Sequence, residues 1–201
     1  MSDKQACNAC GNALLASTAA RTGGVCMPCK GGYRDSIENG KRFAEERKQY
    51  LASPQALYWS ALVGRVYRTE QGFNGLALAE QHYYAVCVLS AEVYNGGFEQ
   101  YFGNSSADHY SSACAGLREL GAVHTLALLQ EAKGLLFGTQ PVPVEQGERQ
   151  LRMPTYADEP DTGCEAALDA LDSRFYLDTE QLDARLLAYA RQHELFALAA
   201  E

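Results

Sequence analysis

Two short cysteine pairs near the start of the sequence constrain its fold more than any other feature. Cys7 and Cys10 form one Cys-x-x-Cys pair, Cys26 and Cys29 form another, and fifteen residues separate the pairs. Four thiolates at this spacing can surround one tetrahedral zinc ion. A glycine follows each pair closely, which allows the backbone to turn tightly beside a metal. We therefore predict a zinc-ribbon-like module in residues 1–34.

Two disulfides, or four unrelated thiols, are the alternatives to a metal site. The remaining cysteines are Cys87, Cys114 and Cys164, and an odd number in apolar or helical surroundings is not a disulfide framework. We expect these three to be reduced. If zinc is bound, four thiolates leave no position for an activating water, so the predicted role of the metal is structural.

The length and the apolar content bound the class of protein. A chain of 201 residues with 47% hydrophobic residues suits one ordinary domain and a small appendage. No apolar run approaches the roughly 18 residues that a membrane helix requires. The first residues also lack the basic-then-apolar pattern of a secretory signal. We expect a cytoplasmic protein with no membrane partner.

The net charge of −8 conceals a strong asymmetry along the chain. Residues 1–50 hold eight basic and five acidic residues, or +3, whereas residues 51–201 hold nine and twenty, or −11. An acidic body repels nucleic acid and attracts basic proteins through its long-range field. Direct binding of nucleic acid by the larger part is therefore not expected.

Helix start signals follow the cysteine module. Asp35 and Glu38 have the spacing of a capping box and predict a connector helix. Ser53 followed by Pro54 predicts a second helix, which extends to about Arg68.

Further helices dominate the rest of the sequence. Apolar spacing predicts a core helix from Leu76 to Tyr94 that ends at Asn95-Gly96-Gly97. Other patterns predict helices over 107–120 and 123–137, one that begins at the capping-box pair Thr162 and Glu165, and one that begins at Asp178 or Thr179. The predicted fold is all-α: the four-cysteine module in residues 1–34, a helical connector in residues 35–53 and an acidic helical domain in residues 54–201.

The glycine break lies in the segment Glu92-Val93-Tyr94-Asn95-Gly96-Gly97-Phe98-Glu99-Gln100-Tyr101-Phe102-Gly103-Asn104. With the apolar helix before it, this segment resembles the bacterial DNA-mimic protein family, and the resemblance covers residues 55–200. It implies an acidic all-helical protein, often a homodimer, whose carboxylates imitate DNA phosphates and occupy the DNA-binding face of a transcription factor. It implies no catalytic residue and no cofactor, so the four-cysteine module is a departure from the family pattern.

Carboxylates recur near and along one predicted helix. The set is Asp158, Glu159, Asp161, Glu165, Asp169 and Asp172. The last four are spaced four, four and three residues apart, which places them on one helical face. Because B-DNA presents one phosphate per roughly 1.7 Å of its axis, a mimic needs carboxylates in rows. We predict that these six residues bind a partner; a solvated acidic face is the alternative.

Other acidic residues have local explanations. Asp178, Glu180 and Asp183 lie at the predicted start of the last helix, where negative charge is favourable beside exposed amide groups. Glu92 and Glu99 flank the glycine break and either extend the acidic surface or hydrogen-bond nearby backbone.

Charge and resemblance together predict a non-enzymatic interaction protein that binds a basic protein such as a DNA-binding transcription factor. No histidine lies in a metal-ligand spacing, and no glycine-rich phosphate loop follows a strand, so no catalytic residue is predicted. One alternative gives the function to the zinc module, which would bind nucleic acid or protein while the helical domain is a scaffold. Another is an immunity-type protein that neutralises a toxin.

Overall fold

Helices account for almost all of the regular structure. The computed structural model describes residues 4–153 and 163–197, and within those ranges the only sheet is one antiparallel pair of three-residue strands. The all-α prediction is confirmed. In the same ranges no helix is both long enough and apolar enough to span a bilayer.

The elements follow one another in this order: β1 (Lys4–Ala6), β2 (Ala13–Leu15), α1 (Ala16–Thr22), α2 (Met27–Lys30), α3 (Arg34–Leu51), α4 (Pro54–Arg68), α5 (Leu78–Gly103), α6 (Tyr110–Glu119), α7 (Val123–Phe137), α8 (Gln146–Arg152), α9 (Cys164–Tyr176) and α10 (Leu182–Gln192), with 3-10 turns at Gly72–Gly75 and Ser105–His109. The chain divides into two compact units, Met1–Ala56 and Leu57–Glu201. The finer division into module, connector and helical domain stays a prediction.

The first unit has very little apolar core. Strand β1 pairs with β2 so that Gln5 lies opposite Leu14. Among the described residues of this unit, the buried cluster consists of Cys7, Leu14, Ala19 and Cys26. Helix α3 buries none of its residues, as its charged sequence implies. Since two of the four core residues are candidate metal ligands, apolar burial alone leaves this unit weakly stabilised.

The second unit has a continuous core around α5. Helices α6 and α9 pack against α5, and α7 packs against α6 and α9. Fully buried side chains include Leu62 from α4, Leu89 and Phe98 from α5, Leu117 from α6 and Leu128 from α7. The apolar spacing of these helices therefore produces one shared core.

The glycine pair divides α5 into two helical segments that meet at a kink, so the first segment does end near the predicted position. Gly96 and Gly97 both leave helical geometry, and Gly97 has φ 77° and ψ −179°. A Cβ atom on Gly97 would lie 2.1 Å from Oδ2 of Asp172. The N–H of Phe98 donates to Oδ1 of the same carboxylate at 2.9 Å, so Asp172 caps the second half of the helix. Only glycine fits here, because the backbone is left-handed and α9 approaches closely.

The predicted helix starts are partly wrong. Ser53 is confirmed as a cap, since its Oγ accepts the N–H of Ala56 at 3.2 Å. The capping box at Asp35 and Glu38 does not form: the cap position of α3 is Tyr33, two residues before Asp35, and no side chain caps the helix.

Helix α10, in contrast, begins later than predicted. It starts at Leu182 and not at Asp178 or Thr179. Even so, Oδ1 of Asp178 accepts the N–H of Leu182 at 2.8 Å, so this acidic residue does satisfy the first turn.

A fully buried arginine fastens α8 to the end of α5. The guanidinium of Arg149 donates to the carbonyl oxygens of Phe102, Asn104, Pro143 and Val144 and to the carboxylate of Asp108. These acceptors compensate for the desolvation of the charge. The buried charge is therefore structural.

Candidate functional sites

The four predicted metal ligands lie together. The Sγ atoms of Cys7, Cys10, Cys26 and Cys29 all lie within 4.8 Å of one another, and those of Cys10 and Cys26 are 3.7 Å apart. Zinc–sulfur bonds of about 2.3 Å in a tetrahedron would separate the sulfur atoms by about 3.8 Å. All four are free thiols, so the disulfide alternative is not what the fold presents. The donor set fits a tetrahedral thiophilic ion.

Tight turns bring the sulfur atoms together. The first pair occupies the turn between β1 and β2, where the N–H of Gly11 donates to the carbonyl oxygen of Cys7 at 2.8 Å. The second pair lies at α2, where Lys30 makes the equivalent bond to Cys26 at 2.9 Å. Across the site, the N–H of Cys26 donates to Sγ of Cys7 at 3.2 Å. Backbone geometry therefore preorganises the four thiols.

Hydrogen bonds make the four thiols unequal. The pKa of Cys7 is lowered to about 6, chiefly because the N–H of Cys26 stabilises its thiolate. The pKa of Cys26 is lowered chiefly by the guanidinium of Arg34. The pKa of Cys29 is raised to about 12 by desolvation and by its neighbouring thiols. A bound metal would hold all four as thiolates.

Arg34 is a site residue that the cysteine motif does not predict. Its Nη2 donates to Sγ of Cys26 at 3.0 Å, and its Nη1 donates to Glu38 at 3.2 Å. The only sequence signal was a cation five residues after the last cysteine. Nothing in that spacing distinguishes a sulfur contact from an ordinary exposed arginine.

Three of the six predicted partner-binding carboxylates lie within the described residues. Asp158, Glu159 and Asp161 lie outside the described residues. Glu165 and Asp169 are exposed on α9.

Asp172 is half-buried and is used internally. Its carboxylate accepts the N–H of Phe98, as described above, so it is less available to a partner than its neighbours in the row.

Glu99 joins these carboxylates from the second half of α5. Desolvation raises its pKa, and the negative charges of Glu165, Asp169 and Asp172 raise it further. The pKa of Asp172 is also raised, by desolvation and by Asp169, although its bond from Phe98 opposes the shift. Negative charge is thus crowded at this face, and a nearby cation would stabilise the ionised carboxylates.

The exposed carboxylates of this face lack cationic neighbours. Among the described residues, no basic side chain lies within 4 Å of Glu99, Glu165 or Asp169. Some exposed acids elsewhere are paired, such as Glu131 with Arg174 and Glu148 with Arg152, whereas others, such as Glu70 and Asp183, are in no ion pair with a described residue. We call Glu99, Glu165 and Asp169 the acidic face.

A cavity lies beside the acidic face. Its volume is about 420 Å³, and its lining is Gly96, Glu99, Gln100, Gly103, Asn104, Gln150 and Met153. One carboxylate and several side-chain amides therefore border a recess large enough for a side chain of a partner.

Two other carboxylates stabilise the fold and are not displayed. Glu180 was expected to cap the last helix, but it accepts the N–H groups of His124 and Thr125, both at 2.9 Å, and so caps α7.

Glu92 was expected either to extend the surface or to bind nearby backbone. Its carboxylate instead accepts hydrogen bonds from the side chains of Gln100, Asn104 and Ser106. These hydrogen bonds form a polar network that joins the two sides of the kink in α5.

Comparison with known protein families gives one match, and it lies within the second unit. A family model described as DMP19-like protein matches residues 74–193, more than half of the chain. This range lies within residues 55–200, over which the sequence resembles the DNA-mimic family, and it includes the whole segment 92–104 around the two glycines. No curated protein and no solved structure matches the chain.

Proposed function

The chain belongs to the DMP19-like protein family, and on that premise we propose that it is a DNA mimic that binds a basic DNA-binding protein. The acidic face is the observation that carries this proposal. Glu99, Glu165 and Asp169 are crowded, exposed and without a cationic neighbour among the described residues. Proteins that bind DNA present arginine and lysine to its phosphates, and the same cations can pair with carboxylates.

In this proposal the protein acts by occupying the DNA-binding surface of its partner, and it has no catalytic residue. Its partner is a protein such as a transcription factor, whose DNA-binding surface the carboxylates cover. We also propose that it acts in the cytoplasm, and the family resemblance extends the proposal to a homodimer. The long-range field of a unit with charge −11 would accelerate association with a basic partner and make it sensitive to salt.

Charge reversal with a matched control tests the proposal. The wild-type protein is used to capture partners from its native cells at low salt, and duplex DNA is then added as a competitor. We expect duplex DNA to displace the captured protein. The double variant Glu165→Lys/Asp169→Lys should bind it at least about tenfold more weakly.

The control variant Glu131→Lys/Glu148→Lys changes the net charge equally but alters carboxylates outside the acidic face. It should retain most of the affinity. Equal losses in both variants would leave only a general charge effect. Capture of acidic or neutral proteins would contradict the proposal, and capture of a toxin enzyme that DNA does not displace would favour the immunity alternative.

We also propose that the four cysteines bind one structural zinc ion. The carrying observation is the four sulfur atoms within 4.8 Å of one another. Metal analysis of the purified protein should give one zinc ion per chain, and Cys10→Ser should lower that content, whereas Cys164→Ser should not.

The zinc module is a second candidate for binding nucleic acid or protein. Lys30, Arg34, Lys41, Arg42, Arg47 and Lys48 form a basic segment beside it. Two of these side chains already have partners within the protein: Arg34 contacts Cys26, and Arg42 pairs with Glu46. A gel-shift comparison of the wild type with Arg47→Glu/Lys48→Glu, both in the full chain, tests this role. No shift at low salt in the zinc-loaded wild type would exclude nucleic acid as the ligand.

A further inference from the structure

Arg34 connects the four-cysteine site to the helix that follows it. It is the first residue of α3, and its Nη2 donates to Sγ of Cys26 at 3.0 Å. Its side chain is 19% exposed, so the guanidinium is largely shielded from water. Among the described residues, no other basic side chain donates a hydrogen bond to a ligand sulfur.

The same guanidinium is the first member of a chain of ion pairs along the helix, which we call the ladder: Arg34, Glu38 and Lys41. Its Nη1 donates to Oε1 of Glu38 at 3.2 Å, and Nζ of Lys41 donates to the two oxygens of Glu38 at 3.1 and 3.3 Å. These groups span the first two turns of α3. The ladder begins at the metal site and ends at the basic segment.

Apolar packing does not hold these turns in place. Helix α3 buries none of its residues, so it lacks the tertiary packing that supplies most of the stability of helices in proteins. An anchor at the amino-terminal end therefore has a large effect on whether the first turns form. Arg34 is the side chain that supplies this anchor.

The metal centre is a suitable counter-charge for the anchor. A divalent ion with four thiolates carries a net charge of −2. A guanidinium stays protonated and donates in a fixed plane, and partners just outside the ligand set orient the ligands of metal sites. A bound metal would keep Cys26 deprotonated, so the acceptor of this contact would stay fixed in place and charged for as long as the site is occupied.

We propose that Arg34 is a positioning residue that couples metal occupancy to the order of the first two turns of α3. The inference rests on the metal site proposed above. Because α3 carries Lys41, Arg42, Arg47 and Lys48, the metal thereby determines how the basic segment is presented.

Cobalt substitution and amide hydrogen exchange in the full chain test the coupling. In the wild type, Co²⁺ should give intense thiolate-to-cobalt charge-transfer bands. It should also slow exchange at the amides of residues 37–42 by at least about tenfold. In Arg34→Gln, Co²⁺ should still bind and still slow exchange at the amides of Cys26 and Lys30, but the slowing at 37–42 should disappear and the charge-transfer bands should shift.

Two further variants keep the test decisive. Arg34→Lys retains the charge and should recover part of the slowing and of the band position. Arg42→Gln removes another arginine of α3, which pairs with Glu46 and not with sulfur, and should behave as the wild type.

Full slowing at residues 37–42 in Arg34→Gln would overturn the coupling. Loss of cobalt in both Arg34 variants would also overturn it, because Arg34 would then act in metal retention. Absence of charge-transfer bands in the wild type is a different failure, since it would remove the metal site itself and the coupling with it.

Discussion

The two units of this chain are stabilised by different means. The first has a buried cluster of four residues, two of them cysteines of the metal site, and carries a charge of +3. The second has a core drawn from α4 to α10 and carries −11. Apolar burial suffices only above a certain size, and the predicted four-cysteine module of residues 1–34 falls in the range below about 40 residues that usually needs a metal or disulfides. Metal chemistry and apolar packing can therefore be perturbed one at a time.

Loss of the metal should have the largest effect and should separate the units most clearly. Cys26→Ser removes one ligand and the Arg34 contact, and zinc contributes about 10–16 kcal/mol to small zinc-binding folds. We expect residues 4–30 to lose hydrogen-exchange protection while the thermal midpoint of the helical unit is unchanged. The control Cys164→Ser should keep both. Retained protection of the residue-26 amide in Cys26→Ser would show that the first unit does not depend on metal.

A substitution at the kink of α5 should destabilise only the second unit. In Gly97→Ala the new Cβ would meet Asp172, and φ is positive, so we expect a loss of about 2–4 kcal/mol in urea unfolding. Gly138→Ala is the matched control: its φ is also positive, at 56°, but an added Cβ would have no atom within 4 Å. Its cost should be about 1–2 kcal/mol. Equal costs would mean that the approach of α9 contributes nothing.

The cap of α7 should contribute a smaller, pH-dependent stabilisation. Desolvation tends to raise the pKa of Glu180, but the bonds from His124 and Thr125 outweigh it and lower the pKa. Because the folded pKa lies below the unfolded value of about 4.3, the stabilisation is complete above that pH and disappears as pH falls through the folded value.

Glu180→Gln should therefore cost about 1–2 kcal/mol at pH 7 and much less at pH 3. Urea unfolding at both pH values measures this difference. A cost that does not change with pH would show that the carboxylate charge is not what caps α7.

Neutralising one carboxylate of the acidic face should have the smallest effect on stability, with the opposite sign. Asp169→Asn removes like-charge repulsion and leaves Glu165 in the first turn of α9, so it should stabilise the second unit by a few tenths of a kcal/mol while it weakens partner binding. Glu148→Gln loses its pair with Arg152 and should destabilise slightly. Paired thermal melts at low salt resolve the two signs. A loss of stability in Asp169→Asn would indicate that this carboxylate stabilises the fold.

The features predicted correctly from the sequence are those that depend on local spacing. Two Cys-x-x-Cys pairs determine short turns, and these bring four sulfur atoms together. Apolar periodicity predicted the core helices, and Ser53 before Pro54 predicted a helix start that is observed. In each case the interacting groups lie close in sequence or share one periodic face.

The features that were missed depend on contacts between distant segments. Glu180 caps a helix that begins some 55 residues earlier, and Asp172 binds an amide 74 residues away. The sequence neighbours of each acid predict a different role from the one observed. Arg34 was missed for a related reason, because its role depends on where α3 begins and not on the cysteine spacing. The row through Asp158, Glu159 and Asp161 stays a prediction.

The bond between Asp172 and Phe98 also has a consequence for biosynthesis. A nascent chain that has emerged only as far as α7 contains all of α5 but not the carboxylate that receives the Phe98 amide. The N–H of Phe98, which follows the turn at Gly97, then has no carboxylate acceptor. The aromatic residues beyond it also lack the surface of α9 against which they pack. The second half of α5 is therefore completed only after the ribosome has added α9, so this unit matures late in translation.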